Sequence, residues 1–138
     1  NQYESLRNGF SPLARFIGAK QRDGEKISMT VPVFQQRNSS TDSWNIYFSM
    51  PKKYEFKDLP QPKNPEVSFE NRKIGVVASV TFSGNADEKL LIKKENELRN
   101  WLNARGYNFV GNPFYLFYND PLTPSFLRKN EVFFQIQE

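Results

Sequence analysis

Arg128 and Lys129 close a loop stiffened by Pro121 and Pro124, with Phe126 between the second proline and the two cations. Such a loop, carrying aromatic and basic groups beside a strand end, can wall a flat, apolar, anionic ligand. A guanidinium pairs a carboxylate bidentately, and an aromatic ring covers an apolar plane. Other residues could do other chemistry. Met29 and Met50 could in principle reach iron through their thioethers, and Tyr47, Tyr115 and Tyr118 through their phenols. Their default roles are core filling for the methionines and cross-strand packing for the tyrosines. Glu70 and Glu131 are the carboxylates nearest to a general base. That role needs a buried acid with a raised pKa, and neither spacing marks one. Arg128 with Glu131 reads equally well as an ion pair holding the loop to the last strand.

The composition removes several classes. The chain of 138 residues has no Cys and no His, which excludes disulfides, thiol catalysis, catalytic triads and histidine-ligated metal. A net charge of +4 favours anionic partners mildly. With no run of five basic residues and no ribonucleoprotein-type motif, nucleic acid is not the expected partner. No apolar run approaches the roughly 20 residues that span a bilayer. Asn1 in place of Met reads as a processed or a trimmed chain, and the compartment stays open. One core is expected, built from few large side chains, because thirteen Phe, six Tyr and two Trp offset a hydrophobic content of 38%.

Elements must position these groups. Ser11-Pro12 predicts a helix start, with Leu13, Phe16 and Ile17 as its apolar face, Gly18 as its end and Gln2–Arg7 as a separate turn leading in. Ile27–Gln35 and Trp44–Met50 predict a hairpin, with Pro32 at an edge or a bulge. Pro51, Pro60, Pro62 and Pro65 make 51–65 an extended connector between halves 1–50 and 66–138 of a single domain. Glu66–Glu70 and Ile74–Phe82 predict strands. Asn85 with Glu88 predicts a capping box that opens a second helix, with Leu91, Leu98, Trp101 and Leu102 as its buried stripe and Gly106 as its end. Asn112–Tyr118 and Glu131–Gln137 predict the last two strands.

The second half thus reads strand, strand, helix, strand, strand, and the first half helix, strand, strand. The expectation is a tandem ββαββ-like repeat whose first two strands are missing from this chain. A sheet without them has open edges, which a second chain could fill.

The order Gly9–Gly18, then Lys26–Val33, then Phe48–Pro51, then Phe82–Gly84, then Tyr118–Val132 resembles the SOUL haem-binding protein family. The resemblance covers the chain from the first helix onward. It implies an α+β fold, a distorted antiparallel β-barrel or sheet with two flanking helices, which agrees with the repeat read from the elements. It also implies non-covalent binding of haem or another tetrapyrrole. Carried to these positions, the groove would take Arg15, Ile17 and Lys20 from the helix and Pro124, Phe126 and Arg128 from the loop starting at Asp120. Iron ligation by His or Cys is outside this sequence.

Three functions follow. The first is a tetrapyrrole carrier or sensor. The second is a small-molecule hydrolase or effector-binding domain, since the repeat is similar to bacterial domains related to gyrase-inhibitory proteins. The third is an interaction subunit of a two-chain assembly.

Overall fold

A computed structural model of the chain describes residues 2–19, 24–119 and 122–137. In chain order it contains α1 (Gln2–Ile17), β1 (Val33–Asn38), β2 (Ser43–Phe48), β3 (Val77–Ser83), α2 (Glu88–Ala104), β4 (Phe109–Phe117) and β5 (Lys129–Ile136), with single 3-10 turns at Phe56–Asp58 and Ser125–Leu127. The strands form one antiparallel sheet in the order β2-β1-β4-β5-β3. The fold is α+β, as expected. The sheet stays open: β2 and β3 are its edges and do not pair with each other.

Both helices lie on one face. α2 covers β5 and β3, where Leu91, Leu98 and Leu102 meet Phe82, Tyr115, Val132 and Phe134. α1 covers β2. Its Phe10 meets Phe48 edge to face, ring centroids 5.3 Å apart, and its Phe16, Ile17 and Leu13 join Ile27, Val67, Phe48 and Met50. The other face buries Phe114, Leu116 and Phe133, with Arg72 lying over the Tyr47 and Phe114 rings at 5.2 and 5.5 Å.

Several boundaries differ from those expected, each for a physical reason. α1 runs unbroken from Gln2 through Pro12, so Ser11 is no cap. Tertiary contacts outweigh the amide bond that Pro12 cannot make. At the N-terminal end the buried Gln35 side chain donates to the Gln2 backbone carbonyl at 2.9 Å and accepts from Gln2 Nε2 at 3.0 Å. β1 begins only at Val33, because the Ile27 amide donates to the Ile17 carbonyl at 2.7 Å and so ties that stretch to α1 instead of to a ladder. Glu66–Glu70 forms no strand; Val67 and Phe69 instead pack against the end of α1, with Phe69 edge to face on Phe16 at 5.4 Å. β3 begins at Val77, after Gly75 at φ +73°.

Asp87, not Asn85, caps α2: its carboxylate accepts from the Leu90 amide at 2.8 Å. At the far end Tyr107 donates to Leu102 and Gly106 to Asn103, with Gly106 at φ +72°. That is the paired bonding of a glycine-terminated helix. Trp101 is not part of the buried stripe. It stands 44% exposed and stacks on Tyr107 and Arg105. β4 starts earlier than expected, at Phe109, because a register shift between Val110 and Phe114 lets the ladder continue past Gly111 and Pro113.

The order of pairing carries the repeat. β1 and β4, the first strand after each helix, pair at the centre. β2 and β5 flank them, and β3 lies outside β5 beneath α2. Among the described residues no strand lies outside β2 beneath α1, the position that mirrors β3.

Candidate functional site

Of the expected site residues, Pro124, Phe126 and Arg128 lie together at one end of the sheet. Phe48, Val33, Phe117, Lys129 and Ser83 mark that end through the pairs Val33↔Phe48, Val33↔Phe117, Phe117↔Asn130 and Ser83↔Lys129. The loop between β4 and β5 rises from it. Asn119 Oδ1 accepts from the Lys129 amide at 2.7 Å, and the Tyr118 amide donates to the Lys129 carbonyl at 3.3 Å, so the base of the loop is closed. Within it the Arg128 Nε donates to the Thr123 carbonyl at 2.7 Å. The 3-10 turn is stitched to the end of β3: Gly84 donates to the Ser125 carbonyl at 3.0 Å, and the buried Asn130 side chain donates to the Gly84 carbonyl at 2.9 Å.

A loop held this firmly still leaves its apolar side chains in water. Leu122 is 93% exposed, Phe126 75%, and Leu127 and Pro124 are exposed too. Met29 and Val31, which lead into β1 at the same end, are also exposed. Met29 is therefore not the core filler its neighbours suggested. Large apolar groups left out while the same chain buries other Phe and Leu side chains suit a contact surface.

α1 reaches the same end from the other flank. Arg15 is exposed on its last turn. Ile17 is 7% exposed and belongs to the core beneath the helix, so its methyl groups support the wall without forming its surface. Lys20 lies outside the described residues, as do Asp120 and Pro121. Pro124, Phe126 and Arg128 are thus brought together on the β5–β3 flank, and Arg15 stands on the β2 flank of the same end. Val31, Leu122 and Leu127 escaped the sequence reading, and Met29 was read there as core. The only signal for Leu122 was its place between two prolines.

The electrostatics of the loop base are defined. Tyr118 donates to Glu131 Oε1 at 2.6 Å, and Lys129 Nζ lies 4.4 Å from the Tyr118 ring centre. Burial and then the bond to Glu131 push the Tyr118 phenol up to about 12. Glu131 is thus engaged by a phenol, and no ion pair of Glu131 with Arg128 is needed to position the loop. Glu70 is exposed and pairs with Arg72 at 3.2 Å. Neither carboxylate sits in the buried cage a hydrolytic base requires.

A second feature lies along β2. A cavity of about 1100 Å³ is lined by every residue from Ser43 to Met50, by Gly9, Pro12 and Phe16 of α1, and by Glu66–Arg72 across from them. Its floor is the open edge of the strand. No helix among the described residues is long and apolar enough to cross a membrane.

Comparison with known proteins agrees with the resemblance in the motifs. The family model "SOUL heme-binding protein" matches residues 1–135. Heme-binding protein 1 of Mus musculus is 27% identical over 134 residues, covering 94% of this chain and 70% of that protein. Heme-binding protein 1 of Bos taurus is 26% identical, with 94% and 69% covered. A match that spans nearly the whole chain, on an open antiparallel sheet flanked by two helices, places this protein in the SOUL heme-binding protein family.

Proposed function

We propose that the chain binds haem or a related tetrapyrrole non-covalently, as a carrier or sensor, at the end of the sheet bearing the β4–β5 loop. The observation that carries this reading is the exposure of Leu122 and Phe126 on a loop otherwise held by hydrogen bonds. These side chains, with Met29 and Val31, offer a surface for a flat ring. Arg128 and Lys129 on one flank and Arg15 on the other offer cations for its propionates. The sequence provides no His or Cys for iron. Affinity then comes from ring burial and charge pairing, and metal-free protoporphyrin binds about as well as haem. Titration with both, followed by absorbance and by quenching of Trp44 and Trp101, tests this. Saturable binding of both at similar concentrations is expected. Strict dependence on iron, or binding of neither, overturns it.

A second reading rests on the cavity along β2. Its floor of unpaired strand edge, between α1 and Glu66–Arg72, has the form of a slot for one added strand. A strand contributed there by another chain would occupy the position that β3 holds in the second half. Adding candidate strand peptides and following the Trp44 emission tests it; no change with any of them counts against strand capture.

A further inference from the structure

We propose that β3 pairs with β3 of a second copy of this chain, so that two sheets join into one across a two-fold axis at Val80. Among the described residues the edge is open on its outer side, and its sequence Val-Ala-Ser-Val-Thr-Phe-Ser holds no charge and no proline. Those are the devices by which edge strands ordinarily avoid pairing. A cleft of about 580 Å³ runs between this edge and α2, floored by Val76–Val80 and walled by Leu98, Trp101 and Tyr107. Unlike the β2 cavity, it has no segment among its lining residues facing the strand from the far side, so a whole sheet can approach.

The pattern selects the occupant. In an antiparallel pair centred on Val80, Phe82 stands opposite the partner's Ala78 and Val80 opposite the partner's Val80, all on the face that α2 covers. Ser79 stands opposite the partner's Thr81 and Val77 opposite the partner's Ser83 on the other face. Apolar residues meet apolar ones beneath the helices, and the two central hydroxyl residues meet on the open face, the pairings that stabilise antiparallel neighbours.

α2 extends the match. Lys94 and Glu97 pair within one α2 at 3.3 Å, Lys94 Nζ lying 5.9 Å from the Phe82 ring and Glu97 lining the cleft beside Val76–Val80. The two-fold that sets Phe82 against the partner's Ala78 brings Lys94 toward the partner's Glu97. It also lays the two α2 helices along each other on one face, covering Trp101, Tyr107 and Val76, each about half exposed in the single chain. Strand pairing alone would be a small interface, and the helix contacts enlarge it.

The test is the solution mass of the whole chain by sedimentation across a micromolar concentration series. A mass twice 16.2 kDa at the upper end is expected, with Trp101 emission shifting to the blue as the dimer forms. The double variant Ser79→Lys/Thr81→Lys sets lysine against lysine at two exposed positions and should weaken the dimer on the order of tenfold or more. The variant Ser79→Glu/Thr81→Lys sets glutamate against lysine instead and should keep it. Circular dichroism checks that both remain folded. A wild-type chain that stays monomeric throughout, or a double-lysine variant that dimerises as well as the wild type, overturns the proposal. Loss of haem binding without loss of the dimer would leave it standing, since the loop site is at the end of the strands and this interface is along their edge.

Discussion

Gly9 of α1 lies so close to Ile46 of β2 that a β-carbon on it would overlap Ile46 Cγ1 and stand 2.8 Å from Ile46 Cβ. The glycine is a packing requirement of the helix–sheet contact. Gly9→Ala adds helix propensity worth roughly 0.5–1 kcal/mol. It also forces α1 off β2, a strain of about 1–3 kcal/mol. Net destabilisation is expected in urea unfolding; an increase in stability would mean that α1 does not seat on Ile46.

Two residues compete as the cap of α2, and the structure separates them. Asp87→Ala removes the bond to the Leu90 amide and should cost about 1 kcal/mol. The side chain of Asn85 makes no such bond to the helix, so Asn85→Ala should fall within about 0.5 kcal/mol of wild type. Equal losses from the two would return the capping role to Asn85.

Phe126 spends nothing on the fold while three-quarters of it faces water. Phe126→Ser should leave the unfolding midpoint unchanged and weaken protoporphyrin binding about tenfold, as expected when roughly half of a phenylalanine's burial is lost. Arg128→Met is expected to act differently. It removes a cation and the bond to the Thr123 carbonyl together, so affinity and loop protection against amide exchange should both fall.

Alkaline pH reads the loop base. The Tyr118 phenol is raised from 10.0 to about 12, and burial beneath α2 together with the bond to Glu95 raises Tyr115 as well. In the unfolded chain both phenols ionise near 10, while in the fold they stay protonated. The stability these two phenols contribute is therefore constant below about pH 10 and is lost as the pH climbs toward 12. Urea unfolding across that range should show the decline, and Tyr118→Phe should make it shallower. A decline beginning well below pH 9 would point to other groups.

Much of this architecture was legible in the chain. The alternation in Trp44–Met50 and the β-branched run ending at Phe82 led to β2 and β3, and Gly106 marked the close of α2. What the sequence hid was set by tertiary contacts. Pro12 punctuates a helix locally, yet Gln35, Ile46 and Phe48 hold α1 straight through it. Val67 and Phe69 alternate like a strand, yet they find the end of α1 instead of a ladder. At the loop end, residue types pointed to Phe126 and Arg128, but exposure belongs to the folded surface. Met29 reads as an ordinary core residue until the fold leaves it half exposed, and Leu122 carries no signal beyond its place in the loop.

The central pairing of β1 with β4 has a consequence for how the molecule comes together. Gln36 Nε2 donates to the Asn112 carbonyl across 76 positions of sequence, whereas β1 and β2 are joined by a short hairpin. β1 with β2 and β4 with β5 close over short loops, and β3 reaches β5 once α2 and β4 have followed it; the β1–β4 seam must wait for the long proline-rich excursion to close on itself. Two half-sheets are expected to form early on their own helices, and their docking along β1 and β4 is the slow, cooperative event. A nick within 51–65 would turn that event into a second-order reaction between two fragments, whose rate would report the strength of the seam directly.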